Sequence, residues 1–132
     1  MHVIIDGYRG DPQLLANEEL VKQLLEDYPN HLSMNKIAPP AVYRYAGPKP
    51  QDWGVSGYVL IAESHISFHT FPARECIWAD IFSCKDFDAE KAVEFLKSAF
   101  QLGEVDVQVL PRGLDDWRAG SASHREVPTG TS

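Results

Sequence analysis

The chain has 132 residues, 12 Lys plus Arg against 19 Asp plus Glu, and a formal charge of −7. That length suits one domain of roughly 100–200 residues, and 44% apolar residues, with 11% aromatic, can fill a core, which excludes a disordered or collagen-like chain. The acidic balance, without any Lys/Arg cluster, argues against a nucleic-acid partner, and the best apolar run, residues 57–62, stops well short of the ~18 residues of a membrane helix.

Residues 2–6 form a short β-branched run that predicts a buried strand, and residues 7–10, bounded by two glycines, predict a turn. Asp11 and Pro12 supply a cap and a first helical residue. Leu14, Leu15, Leu20, Val21, Leu24, Leu25 and Tyr28 then recur at three- and four-residue steps, predicting one helix that ends near Pro29. The signal weakens over residues 30–52, where Pro39-Pro40 and Pro48-Lys49-Pro50 mark turns around a strand at 41–45. Residues 57–62, 65–71 and 76–83 are three strand-like segments with short, antiparallel-type connections. Asp88 caps a second helix whose inner face is Ala92, Val93, Phe95, Leu96, Ala99 and Phe100. Gly103 is expected to end it, and residues 104–110 return as a strand. The Gly-, Ser- and Thr-rich stretch 119–132 reads as a disordered tail behind a single domain at 1–118.

Two apolar helix stripes and five or six strands require a two-layer α+β sandwich, an antiparallel sheet covered on one face by two helices. The other sheet face then needs a partner, and a face-to-face homodimer is the economical solution. The opening residues are too short and too acidic for a signal peptide. Two cysteines without such a signal point to reduced thiols in the cytoplasm.

The informative stretch is 54–72, which gathers serines, His65, His69 and Glu63 where two strands meet. On residue types alone an activated serine nucleophile competes with ordinary strand histidines and a polar turn, and the second is favoured. A metal site is not expected. On extended strands His65 and His69 lie roughly 13 Å apart and Cys76 and Cys84 roughly 26 Å, so neither pair converges on an ion or makes a disulfide within one straight strand.

The decapeptide Glu63-Ser64-His65-Ile66-Ser67-Phe68-His69-Thr70-Phe71-Pro72, followed by Asp80-Ile81-Phe82-Ser83-Cys84, resembles the signature of the prokaryotic S-adenosylmethionine decarboxylases. Gly54-Val55-Ser56-Gly57 and Arg112-Gly113 match as well, so the resemblance covers residues 2 to about 115. It implies a proenzyme that cleaves itself between Glu63 and Ser64. The Ser64 hydroxyl attacks the Glu63 carbonyl, and elimination and hydrolysis leave a pyruvoyl cofactor in place of Ser64. By the same resemblance, His69 assists processing, Ser56 positions the ester, and Cys84 donates a proton to the carbanion left by decarboxylation. The pyruvoyl group would form an imine with a small-molecule amine substrate and act as electron sink, serving polyamine synthesis. Subunit-boundary active sites in a dimer are also implied. Strict strand alternation puts residues 64 and 69 on opposite faces, so a bulge or turn is expected near 64–65. Cys76 lacks such support and reads as core.

Three positions depart from the family pattern. Ala73 replaces a glutamate that corresponds to the carboxylate on the substrate's ribose, Lys85 replaces a glycine, and Gly7 stands where a larger side chain is common. Glu75, two residues beyond Ala73, is a candidate substitute on the same strand face, with Arg74 pointing away. A site without the ribose carboxylate suits L-arginine or L-ornithine, for which Asp6 or Glu75 could supply negative charge. An uncleaved, non-catalytic paralogue is the third alternative.

Overall fold

The computed structural model describes residues 1–112, so the tail expected at 119–132 lies outside the described residues. In chain order the elements are β1 (His2–Tyr8), α1 (Pro12–Leu15), α2 (Glu18–His31), β2 (Ala41–Tyr45), β3 (Gly54–Ile61), β4 (Ser64–Phe71), β5 (Cys76–Ser83), α3 (Ala89–Phe100) and β6 (Glu104–Leu110). The six strands form one sheet in the order β2-β3-β4-β5-β1-β6, with every neighbouring pair antiparallel. The first strand is therefore threaded between β5 and β6.

Alternation along the strands sends Val3, Ile5, Val55, Val59, Ile61, Ile66, Phe68, Ile77, Ala79 and Ile81 into the core. There they meet Val21, Leu24, Leu25 and Tyr28 of α2 and Ala92, Leu96 and Phe100 of α3. Each such large side chain stabilises the fold by about 1.5–3 kcal/mol. The expected two-layer sandwich is present. The opposite sheet face leaves Tyr43, Tyr58, Leu60 and Trp78 exposed. Among the described residues, no helix is long and apolar enough to cross a membrane.

Local chemistry explains where the elements differ from expectation. Gly7 continues β1 instead of turning it, because it pairs with both Ile77 and Val105. The single helix expected from Pro12 to Pro29 is two. Asp11 Oδ1 accepts the Gln13 and Leu14 N–H groups, and Asn17 Oδ1 then accepts the Leu20 N–H, restarting the helix after Ala16. Pro29 lies inside the last turn of α2, which runs on to His31. The helix before Gly103 already ends at Phe100, with Gln101 taking the left-handed conformation at φ 53°. Cys76 is half-buried at the start of β5 and is no core residue.

One buried hydroxyl ties the layers together. Thr70 Oγ1 accepts the Val55 N–H at 3.0 Å and donates to the Leu15 carbonyl at 2.8 Å, joining β3, β4 and α1. A Cβ on the neighbouring Gly54 would fall 1.8 Å from the Thr70 carbonyl oxygen, so this approach requires glycine.

Candidate active site

Strands β3 and β4 meet through a two-residue loop, Ala62-Glu63, with Ile61 opposite Ser64. Neither loop residue has a positive φ. Ser64 does, at 157°. The turn thus comes before Ser64, and no bulge shifts the register between residues 64 and 69. Ser64 aligns with Ser83 in β5. One step further, the Cys84 N–H donates to the Glu63 carbonyl oxygen at 3.0 Å, while its thiol-bearing residue remains exposed. The carbonyl of the peptide joining Glu63 to Ser64 is consequently polarised by a backbone donor, beside a free thiol.

The Glu63 side chain is buried. Its Oε1 accepts the Asn35 N–H at 3.3 Å, and Oε2 lies 3.4 Å from both Asn35 Nδ2 and Lys85 Nζ. Burial pushes the Glu63 carboxyl upward, but the backbone N–H groups of Asn35 and Glu63 and the Lys85 ammonium together hold it below the usual carboxylate value.

Ser56 and His69 are brought together on the open sheet face. They are direct cross-strand partners, and Ser56 Oγ lies 2.9 Å from His69 Nδ1. The hydroxyl donates when Nδ1 is unprotonated. The sheet continues this row through Trp78 and Asp6 to Asp106. A second row on the same face runs from Leu60 through His65 and Phe82 to His2. At ~3.3 Å per residue, five residues separate Ser64 from His69 by roughly 16 Å, and strand register assigns them to opposite faces. Ser56, Ser64, His69 and Cys84 therefore fall into two groups within one chain. Ser64 and Cys84 lie at the hairpin end, and Ser56 and His69 lie down the open face.

The substrate-side candidates divide likewise. Asp6 is on the open face beside Trp78. Glu75 is not on a strand: Pro72–Arg74 form a 3-10 turn and Glu75 caps it with φ 57°, so period-2 logic does not apply there. Arg74 donates to Asp52 Oδ1 at 2.9 Å and to the Gln51 carbonyl at 3.1 Å. Asp52, Phe71, Arg74, Cys76 and Trp78 line a cavity of about 220 Å³, in which Phe71 and Trp78 meet edge to face at 4.8 Å. Burial, opposed by Arg74 and reinforced by Asp6, pushes the Cys76 thiol up. Ala73 lines a different cavity, with Arg44, Pro50 and Trp53.

Sequence reasoning missed Asn35 and the Asp52–Arg74 pair. Both come from the weakly patterned 30–52 region or contact it, and no local motif marks them.

A helix-covered antiparallel sheet with a serine at a hairpin tip, its preceding carbonyl held by the backbone of a cysteine residue, is the frame in which the family signature sits. The profile for S-adenosylmethionine decarboxylase matches residues 1–113, and the chain belongs to that family. It is 35% identical over 113 residues to an S-adenosylmethionine decarboxylase proenzyme of Archaeoglobus fulgidus, covering 85% of this chain and 96% of the relative. A proenzyme of the same description from Clostridium botulinum strain Langeland is 34% identical over 116 residues, covering 87% and 95%. The crystal structure of the adenosylmethionine decarboxylase from Aquifex aeolicus is similar at a TM-score of 0.71 and 30% identity, covering 86% of this chain and 89% of that one.

Proposed function

We propose that the chain is a self-processing, pyruvoyl-dependent decarboxylase that acts on S-adenosylmethionine in polyamine synthesis, in the cytoplasm. The observation that carries the reading is the hydrogen bond from the Cys84 N–H to the Glu63 carbonyl, next to the Ser64 hydroxyl, in a chain of this family. A preorganised donor of this kind stabilises negative charge developing on the carbonyl oxygen when a hydroxyl adds to it. Ser64 Oγ forms the new bond to that carbon as the peptide C–N bond breaks, and the hydroxyl proton ends on the freed amine. Loss of the Ser64 Cα proton then expels Glu63 as a carboxylate, and water replaces the nitrogen as ammonia. A hydroxyl residue at a hairpin tip, flanked by an accessible thiol, fits a prosthetic group made from the chain itself.

The pyruvoyl group supplies an electron-accepting carbonyl for an amine substrate that loses carbon dioxide. The chain's own residues do the rest. Cys84, exposed beside Ser64, delivers a proton to the product carbon. Ser56 and His69 form a hydroxyl–imidazole pair for proton movement during processing. The Phe71–Trp78 cavity receives an apolar or aromatic part of the substrate. Because Ser56 and His69 are remote from Ser64 in one protomer, the reading includes a homodimer. The open faces, with Tyr58, Leu60 and Trp78 exposed, pack together, and the hairpin end of one subunit, which carries Ser64 and Cys84, meets the Ser56–His69 pair of the other at the border of that seam.

A second reading keeps the chemistry and changes the substrate to L-arginine or L-ornithine. It is favoured by Ala73, for which Glu75 offers no replacement carboxylate on the strand face. Intact-mass analysis tests the processing: residues 1–63 and a blocked fragment beginning at position 64 are expected, whereas a single 14.8 kDa chain supports an uncleaved paralogue. Carbon dioxide release from S-adenosylmethionine, arginine and ornithine, assayed in parallel, decides the substrate.

A further inference from the structure

Lys85 occupies a position where the family signature has glycine, and its side chain is not idle. The ammonium is half-exposed, yet it lies 3.4 Å from Oε2 of the almost wholly covered Glu63 carboxylate. Asn35 approaches the same carboxylate with its N–H and its side-chain amide, and its carbonyl accepts the Ala62 N–H at 2.8 Å. Glu63 is thus fixed at both ends. Its side chain is held between Asn35 and Lys85, and its carbonyl by the Cys84 N–H. Lys85 is itself oriented, since its N–H donates to Ser83 Oγ at 3.1 Å. A covered carboxylate served by long hydrogen bonds is stable only with a charge partner, and Lys85 is the cation that the structure places there.

We propose that Lys85, together with Asn35, is a positioning residue for self-cleavage: it anchors the Glu63 side chain so that the Glu63 carbonyl stays on the Cys84 N–H while the Ser64 hydroxyl adds to it. This rests on the self-processing reading and deepens it. The anchor also suits the elimination step. When Glu63 leaves with the Ser64 oxygen, it carries a second carboxylate beside the first, and the Lys85 ammonium is the adjacent counter-charge. A loop of Ala-Glu lacks the Asn-Gly or Gly-first chemistry that fixes tight hairpins by backbone preference alone. Side-chain anchorage does that job here.

The test monitors cleavage of freshly made protein over time by intact mass, a readout independent of decarboxylation. Lys85→Met is expected to cleave about tenfold more slowly than the parent, the effect of a barrier change near one decade in rate. Lys85→Arg is expected to restore the rate to within about twofold by returning the charge. Glu63→Gln should slow cleavage to a similar degree, and the double variant Glu63→Gln/Lys85→Met should be no slower than either single one, because both remove the same contact. Thermal unfolding of Lys85→Met in an uncleavable Ser64→Ala background checks the fold; if that variant is insoluble, Lys85→Gln carries the same prediction. Parental cleavage with an unchanged rate in the folded neutral variant overturns the anchor alone. A parent that never cleaves overturns the self-processing reading, and the anchor with it.

Discussion

Complementation between two inactive variants tests whether the divided site is completed across a dimer. Ser64 and His69 are about 16 Å apart along one strand, on opposite faces by register, whereas a proton-transfer partner must come within about 3 Å or one water. No rotamer change closes that gap within a protomer. A Ser64→Ala chain paired with a His69→Ala chain would hold one empty site, lacking both groups, and one intact site, containing the Ser64 of the His69→Ala chain and the His69 of the other. Each homodimer holds no intact site. Co-expression with two different tags, followed by purification on both, isolates the mixed species. In it the His69→Ala chain should cleave at close to the parental rate, while the same chain alone cleaves slowly. Only that chain can break, which gives an internal control on the same gel. Recovery of mixed dimers in which the His69→Ala chain is no more cleaved than by itself would refute the shared site.

Ser64→Ala should give one unbroken chain by mass spectrometry, and Cys84→Ala should cleave but turn over about 10²-fold more slowly, as for loss of a positioned acid; full turnover removes that role from Cys84. Because the folded-state Glu63 carboxyl is depressed below its ordinary 4.5, its ionisation stabilises the fold above that pH, and the contribution is lost as pH falls through the depressed value. Urea unfolding of Ser64→Ala between pH 3 and 7 should therefore weaken on acidification more than that of Ser64→Ala/Glu63→Gln, and parallel curves contradict the assignment. Thr70→Val should cost about 1–3 kcal/mol in urea unfolding by leaving the Val55 N–H and Leu15 carbonyl unpaired in the core; an unchanged midpoint shows that the hydroxyl is dispensable.

Periodicity made the layers legible. The period-2 pattern of residues 54–83 and the three-four pattern of α2 and α3 are set by burial on one face, and burial is what sequence patterns record. Capping chemistry decided the details. Asn17 restarts a helix whose apolar stripe alone looks continuous, and Gln101 takes a conformation for which a nearby glycine was the obvious choice. The motif serines, His69 and Cys84 were named only through the family resemblance, which carried no mutual distances. Register, fixed by the Ala62-Glu63 loop, separates Ser64 from His69 and leaves Ser56 beside it. Glu75 failed as a strand residue because Pro72 opens a turn before β5, and Asn35 was invisible because its role comes from a loop folding against the hairpin tip.

The threading of β1 between β5 and β6 has a consequence for a molecule broken after residue 63. The amino-terminal piece would own β1, β2 and β3, the carboxy-terminal piece β4, β5 and β6, and three separate ladders, β3 with β4 and β1 with each of β5 and β6, would bridge them. Neither piece holds a contiguous sheet, so they cannot drift apart as intact bodies. Disassembly and melting become the same event, and refolding of each protomer from denaturant turns from a one-body into a two-body step whose yield rises with protein concentration.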